Sequence, residues 1–218
     1  MTSKYNAVLF DFDGTIADTG RGIFASIQYA VECLGFKPLD NETLRRFIGP
    51  PIYDSFKREL GLDDEKSDFA VKKYREKYAE SGIYELDLYE GIISLIKRLR
   101  ENGIKIGIAS SKPQNFLIRI VDFLEITDLI DFISAPSADD TPQSKASLIS
   151  NASEALNIPK DKILMVGDRY FDINGANGAG VESVGVTFGY GSEEELKKAG
   201  ATYIAGCADE IDGIIFCC

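Results

Sequence analysis

Two aspartates one residue apart, Asp11 and Asp13, follow directly on the apolar run from Tyr5 to Phe10 and precede Gly14 and Thr15. Such a run emptying into acidic residues and glycine reads as a buried strand that ends in a tight loop. Carboxylates at this spacing can share one metal ion while one of them serves as a nucleophile. Gly14 and Thr15 offer backbone N–H groups and a hydroxyl that suit a bound phosphate. A calcium loop is the other use of an Asp-x-Asp pair, but there the glycine stands sixth rather than fourth and no strand leads in.

Two further apolar runs end in the same manner. Ile106-Gly107-Ile108-Ala109 leads into Ser110-Ser111, and Leu164-Met165-Val166 leads into Gly167-Asp168. Any one of these polar residues reads as an ordinary turn or cap. Three together matter if the strands are parallel, because ligands of open α/β sheets sit beyond the carboxyl ends of the strands.

The order of elements predicts such a sheet. Residues 16–83 read as helices alone. Ile23, Ile27, Ala30 and Val31 recur at helical spacing up to Gly35, a second helix opens at Asp40-Asn41-Glu42 and runs to Gly49-Pro50-Pro51, and two more cover about Tyr53–Leu60 and Asp64–Ser81. From residue 90 onward helices and strands alternate: a helix near Ile92–Glu101, a strand from Ile104 to Ala109, a helix opened by Ser111-Lys112-Pro113, a strand from Ile163 to Val166, a helix near Tyr170–Gly178, a strand from Val181 to Val186 and a closing helix near Ala208–Phe216. Alternation of this kind implies an α/β fold, a three-layer Rossmann-like parallel sheet core with an inserted α-helical cap domain. The expected division is 1–15 with 88–218 for the core and 16–87 for the cap. Glu193-Glu194-Glu195 reads as a solvated first helical turn, and Asp18 as an N-cap.

Composition narrows the chemistry. The 218 residues carry a net charge of −11, which argues against nucleic-acid polymers and anionic membranes as partners. His is absent, which removes zinc-hydrolase, Ser-His-Asp and Cys-His readings. Cys33, Cys207, Cys217 and Cys218 show no metal-type spacing, and the terminal pair lacks the polybasic stretch that accompanies prenylation. Met1 to Asn6 lack a signal-peptide pattern, and no run approaches the ~20 apolar residues of a membrane span. A reduced, cytoplasmic chain is expected, as a monomer or homodimer.

Asp11-Phe12-Asp13-Gly14-Thr15, strand-terminal Ser110, Lys145, and Gly167-Asp168-Arg169-Tyr170-Phe171-Asp172 resemble, in order and spacing, the four motifs of the haloacid dehalogenase superfamily. Phe47-Ile48-Gly49-Pro50-Pro51 and Phe188-Gly189-Tyr190-Gly191-Ser192 extend the resemblance over nearly the whole chain, and it is nearest to phosphoglycolate phosphatase-like and 5′-nucleotidase-like members with a helical cap. The resemblance implies that Asp11 is the nucleophile, Asp13 the acid/base, and Ser110 and Lys145 catalytic partners of the transferring phosphoryl group. Gly14, Thr15, Ser111 and Lys112 are the expected substrate contacts, with Lys112, before Pro113 at a helix N-terminus, having a solvated charge as its alternative. A magnesium site would use Asp11, Asp13 through its backbone carbonyl, Asp168 and Asp172; hard oxygens alone suit that ion. The implied activity is a phosphomonoester phosphatase acting on a small phosphate monoester, with a sugar phosphomutase or a non-catalytic binding module as alternatives. Lys145 stands in Gln143-Ser144-Lys145-Ala146-Ser147 rather than in a Lys-Pro-x-Pro stretch, which tilts the substrate towards a nucleoside monophosphate. Arg45, Arg46, Tyr53 and Lys57 are the cap residues expected to set specificity, each with ordinary surface as its alternative.

Overall fold

A computed structural model describes residues 3–137 and 143–216. The chain divides into two compact units, Met1–Ala17 with Leu88–Cys218 and Asp18–Asp87. The described strands are β1 Ala7–Phe10, β2 Ala17–Asp18, β3 Asp87–Leu88, β4 Lys105–Ala109, β5 Phe132–Ser134, β6 Ile163–Gly167, β7 Glu182–Val186 and β8 Tyr203–Ala205. Helices α1 Gly20–Cys33, α2 Asn41–Arg45, α3 Ile52–Leu60 and α4 Asp64–Glu80 belong to the second unit. Helices α5 Ile92–Glu101, α6 Gln114–Phe123, α7 Lys145–Leu156, α8 Tyr170–Ala179, α9 Glu193–Ala199 and α10 Ala208–Phe216 belong to the first.

Six strands form one sheet in the order β5-β4-β1-β6-β7-β8, every pair parallel. The chain leaves β1 to build β4 and β5 on one side, then returns to place β6 on the other. That reversal beside β1 is a topological switch point, where such sheets open a crevice beyond their strand ends. Both sheet faces are covered, so β1 is buried at all four residues and reads as a continuous apolar run. Alternation sorts the side chains: Ala7 and Leu9 join Ile163 and Met165 in a core with Leu148, Ile149 and Ala152 of α7 and Ala176 and Ala179 of α8.

In the second unit α1 and α4 pack together. Ile23, Ile27, Ala30 and Val31 are buried on α1, and Ala70, Val71, Tyr74 and Tyr78 on α4. Asp40 caps α2 by accepting the Thr43 N–H (2.7 Å), and Asp63 caps α4 by accepting that of Lys66 (2.9 Å). Asp18 Oδ1 accepts the Gly20 N–H (3.0 Å), one residue ahead of the N-cap position of α1 at Thr19. Helix α2 stops at Arg45, well short of the expected break at Gly49.

Candidate active site

The parallel register brings the three polar strand ends to one edge. Phe10 is level with Ile108 of β4 and Val166 of β6, so the residues that follow leave the sheet side by side. The Asp11 N–H donates to Val166 O (2.9 Å) and the Ser110 N–H to Ser134 O (3.1 Å), which extends the ladders into the site itself. Asp11, Ser110 and Asp168 are all buried there.

Lys145 arrives from α7. Ser144 caps that helix through the Ser147 N–H (3.1 Å), which puts Lys145 in its first turn. The Lys145 ammonium donates to Asp11 Oδ1 (2.9 Å) and to Ala109 O (2.9 Å), and it lies 2.8 Å from Asp172 Oδ1. An ammonium has three donors, and three acceptors surround this one. Burial opposes its charge, but the Asp11 and Asp172 carboxylates outweigh burial and hold its pKa above the ordinary lysine range. The lysine stem runs along α8 at Gly175, where an added Cβ would stand 2.5 Å from Lys145 Cγ.

Carboxylate oxygens of Asp11, Asp168 and Asp172 lie within 4.8 Å of one another. Two of these carboxylates, Asp11 and Asp172, meet the Lys145 ammonium, and Asp168 lies beside them. Burial, then the charges of Asp172 and Asp11, push Asp168 well above the usual carboxylate range. Burial pushes Asp172 up to about 6, with Lys145 offsetting part of the rise. Asp168 Oδ2 accepts the Tyr190 N–H (2.7 Å), whereas Asp168 Oδ1 is buried without a hydrogen-bond partner. A buried oxygen left unpaired among like charges is costly, and a divalent cation relieves both faults. Hard oxygens from three clustered carboxylates thus fit magnesium. The side chain of Asp13 is not part of this cluster: its Oδ1 pairs with the buried Lys112 ammonium at 2.9 Å.

The loop after Asp11 is tighter than expected. Gly14 has a φ of +85°, and its N–H donates to Ala17 O (2.8 Å), while that of Thr15 donates to Phe12 O (3.3 Å). Both N–H groups, expected to be phosphate donors, are thus bonded inside the loop. The Thr15 hydroxyl is buried without a partner and faces no such competition. Gly14 also lies against the metal-type cluster, since a Cβ there would stand 2.2 Å from Asp168 Oδ2. Ser110 Oγ accepts the Lys112 N–H (3.3 Å), and Ser111 is half-buried beside it.

In the second unit the expected specificity residues are mostly engaged locally. Arg46 reaches Glu42 (2.6 Å), and the Tyr53 hydroxyl (2.9 Å) and Lys57 (2.5 Å) share Asp64 Oδ1. Arg45 is exposed and joins no ion pair among the described residues. Cys33 and Cys207 are free thiols, and Cys217 and Cys218 lie outside the described residues. Sequence reasoning missed two contributors, the Tyr190 N–H and Glu195, whose carboxylate is bonded rather than solvated. A glycine-rich stretch, Gly189-Tyr190-Gly191, was the available signal for the first.

Comparisons with known proteins converge on one family. Residues 8–186 match the family described as haloacid dehalogenase-like hydrolase. The chain is 35% identical over 206 residues to a 5′-nucleotidase of Pseudomonas aeruginosa, covering 94% of this chain and 92% of that one. It is 31% identical to the tyrosine-protein kinase PtkA of Mycobacterium tuberculosis over 92% of this chain and 68% of that one. Among solved structures, a predicted phosphatase from Clostridium acetobutylicum superposes with a TM-score of 0.91 at 38% identity, covering 95% of this chain and 96% of that one.

Proposed function

This chain belongs to the haloacid dehalogenase-like hydrolases, and from that premise we propose that it is a magnesium-dependent phosphomonoester phosphatase working through an aspartyl-phosphate on Asp11. The observation that carries the reading is the buried cluster of Asp11, Asp168 and Asp172 at the switch-point edge of the sheet, with the Lys145 ammonium paired to Asp11 and Asp172.

Asp168 and Asp172 with Asp11 would hold the ion, which when bound offsets charge on the phosphoryl oxygens. Asp11 Oδ2 attacks phosphorus; the new O–P bond forms as the bond to the ester oxygen breaks. Asp13, freed from Lys112 and protonated from water as substrate enters, gives that proton to the departing alcohol. It then takes a proton from water, whose oxygen attacks phosphorus and returns Asp11 as a carboxylate with release of phosphate. Lys145 stays in place throughout, fixing Asp11 Oδ1 and balancing the charge that gathers around it. Ser110 and the Thr15 hydroxyl face the phosphoryl oxygens, and Lys112 orients Asp13 until substrate enters.

The substrate class is a small phosphorylated metabolite. The nucleotidase relative and the setting of Lys145 favour a nucleoside monophosphate over phosphoglycolate. Among the described residues no helix is long and apolar enough to cross a membrane. The test is phosphate release from nucleoside monophosphates, phosphoglycolate and sugar phosphates by wild type and Asp11→Asn, with magnesium and with EDTA. Turnover that needs magnesium and vanishes in Asp11→Asn supports the proposal. Well-folded wild type inert towards every compound, or Asp11→Asn as active as wild type, overturns it.

A further inference from the structure

The three acidic residues that open α9 behave differently. Glu193 and Glu194 are exposed. Glu195 turns back: its Oε1 accepts both Arg169 Nε (2.8 Å) and the Tyr170 N–H (2.9 Å). Those two residues begin the turn that joins Asp168 to Asp172. The same turn is closed from within, since the Arg169 N–H donates to Asp172 Oδ2 (3.0 Å).

Glu195 is well placed for a fixed contact. Ser192 caps α9 by accepting the N–H of Glu195 itself (3.1 Å), so backbone and side chain of this residue are both tied. Five residues earlier, the Tyr190 N–H holds Asp168 Oδ2. The backbone of Gly191 presses so closely on Asp168 O that an added Cβ would stand 2.0 Å away. The segment from Gly189 to Glu195 therefore grips the start of the turn twice. One grip is on the Asp168 carboxylate and the other on the two residues that follow it.

We propose that Glu195 is a positioning residue for the magnesium site. It touches neither ion nor substrate; through Arg169 and Tyr170 it fixes the turn so that Asp168 Oδ1 and Asp172 face Asp11. The inference rests on the phosphatase reading, because the site it serves is the magnesium site of that reading. Glu195 borders an open cleft of about 580 Å³, also lined by Tyr170, Asn174 and Lys198. Shortening it admits water and leaves no closed cavity, so the fold survives the substitution.

The experiment compares wild type, Glu195→Ala and Glu195→Gln. Magnesium affinity is read by calorimetry without substrate, and amide exchange over 168–172 in the same samples. Loss of such outer partners weakens metal sites about 10- to 100-fold, so Glu195→Ala should bind magnesium at least about tenfold more weakly. Its Tyr170 amide should exchange faster than that of wild type. Glu195→Gln keeps one oxygen that can accept both N–H groups, so its affinity should return to within about threefold of wild type.

An Ala variant with wild-type affinity overturns the proposal, as does a Gln variant as weak as Ala. If either occurs while wild type shows magnesium-dependent turnover, the phosphatase reading stands and only the role of Glu195 falls. Wild type that binds no magnesium removes both at once, and that failure is visible before any variant is made.

Discussion

Replacing Lys145 by Met tests how much of the fold's stability is committed to the site's charge balance. The substitution keeps most of the stem beside Gly175 and deletes the ammonium that meets Asp11 Oδ1, Asp172 Oδ1 and Ala109 O. Asp11 and Asp172 would then lose the ammonium they share, with Asp168 beside them in the same buried site. Removing one partner of a buried ion pair costs about 3–5 kcal/mol, so Lys145→Met should lose about 4 kcal/mol without magnesium near neutral pH. For a chain of this size that is roughly 8–16 °C in Tm. Protonation relieves the strain: with the Asp172 pKa already raised to about 6, acidification removes one of the uncompensated charges. The loss should therefore shrink to about half at about pH 5. Asp172→Asn in the Lys145→Met background should restore part of it, since Asn can still accept the Arg169 N–H. The assay is urea denaturation in EDTA at the two pH values, followed by fluorescence and by circular dichroism. A loss below about 1 kcal/mol, or one that grows on acidification, would refute the idea that Lys145 is held by charge.

Three other outcomes are expected. Asp168 and Asp172 have raised pKa values in the folded, metal-free protein, so the stability tied to their protons is present at low pH and is lost as pH rises through about 6 for Asp172. Magnesium needs both ionised, and its effect on Tm should be larger at about pH 8 than at about pH 5; an equal or reversed effect sinks this account. Gly14→Ala should weaken magnesium binding by about 100-fold, because the new Cβ would fall 2.2 Å from Asp168 Oδ2 at a φ that L residues rarely adopt; calorimetry showing wild-type affinity would contradict it. Asp131 accepts from Arg100 (2.8 Å), Lys105 (2.9 Å) and the Ile106 N–H (2.8 Å). Burial pushes its pKa up, but these donors outweigh it and hold the carboxyl below its usual range. Its stabilisation is therefore full above the unfolded carboxyl pKa and fades as pH falls through the lowered folded value. Asp131→Ala should cost about 2 kcal/mol near neutral pH, fading in strong acid, with turnover unchanged because Asp131 sits at the opposite end of β4 from Ser110; a slowed reaction would argue otherwise.

The sequence by itself determined the elements that bury two faces or one long stripe. Tyr5 to Phe10, Ile104 to Ala109 and Ile163 to Val166 announce β1, β4 and β6 because a central parallel strand must be apolar throughout. Asp11, Ser110 and Asp168 then follow from where those runs stop. The outer strands were not legible: β5 and β8 are three residues each and only partly buried, so Phe132-Ile133-Ser134 and Tyr203-Ile204-Ala205 carry no run long enough to register. The interior of the site was decided by tertiary structure alone. Nothing local says that Lys112 meets Asp13, or that a glutamate in a run of three turns inward. Those outcomes depend on which groups the sheet order and helix packing bring within reach, and hydrogen bonds between residues so far apart in the chain leave no period in its sequence. Residue type and spacing prescribe what chemistry is available; the fold's crossing of distant segments selects which donor each carboxylate meets.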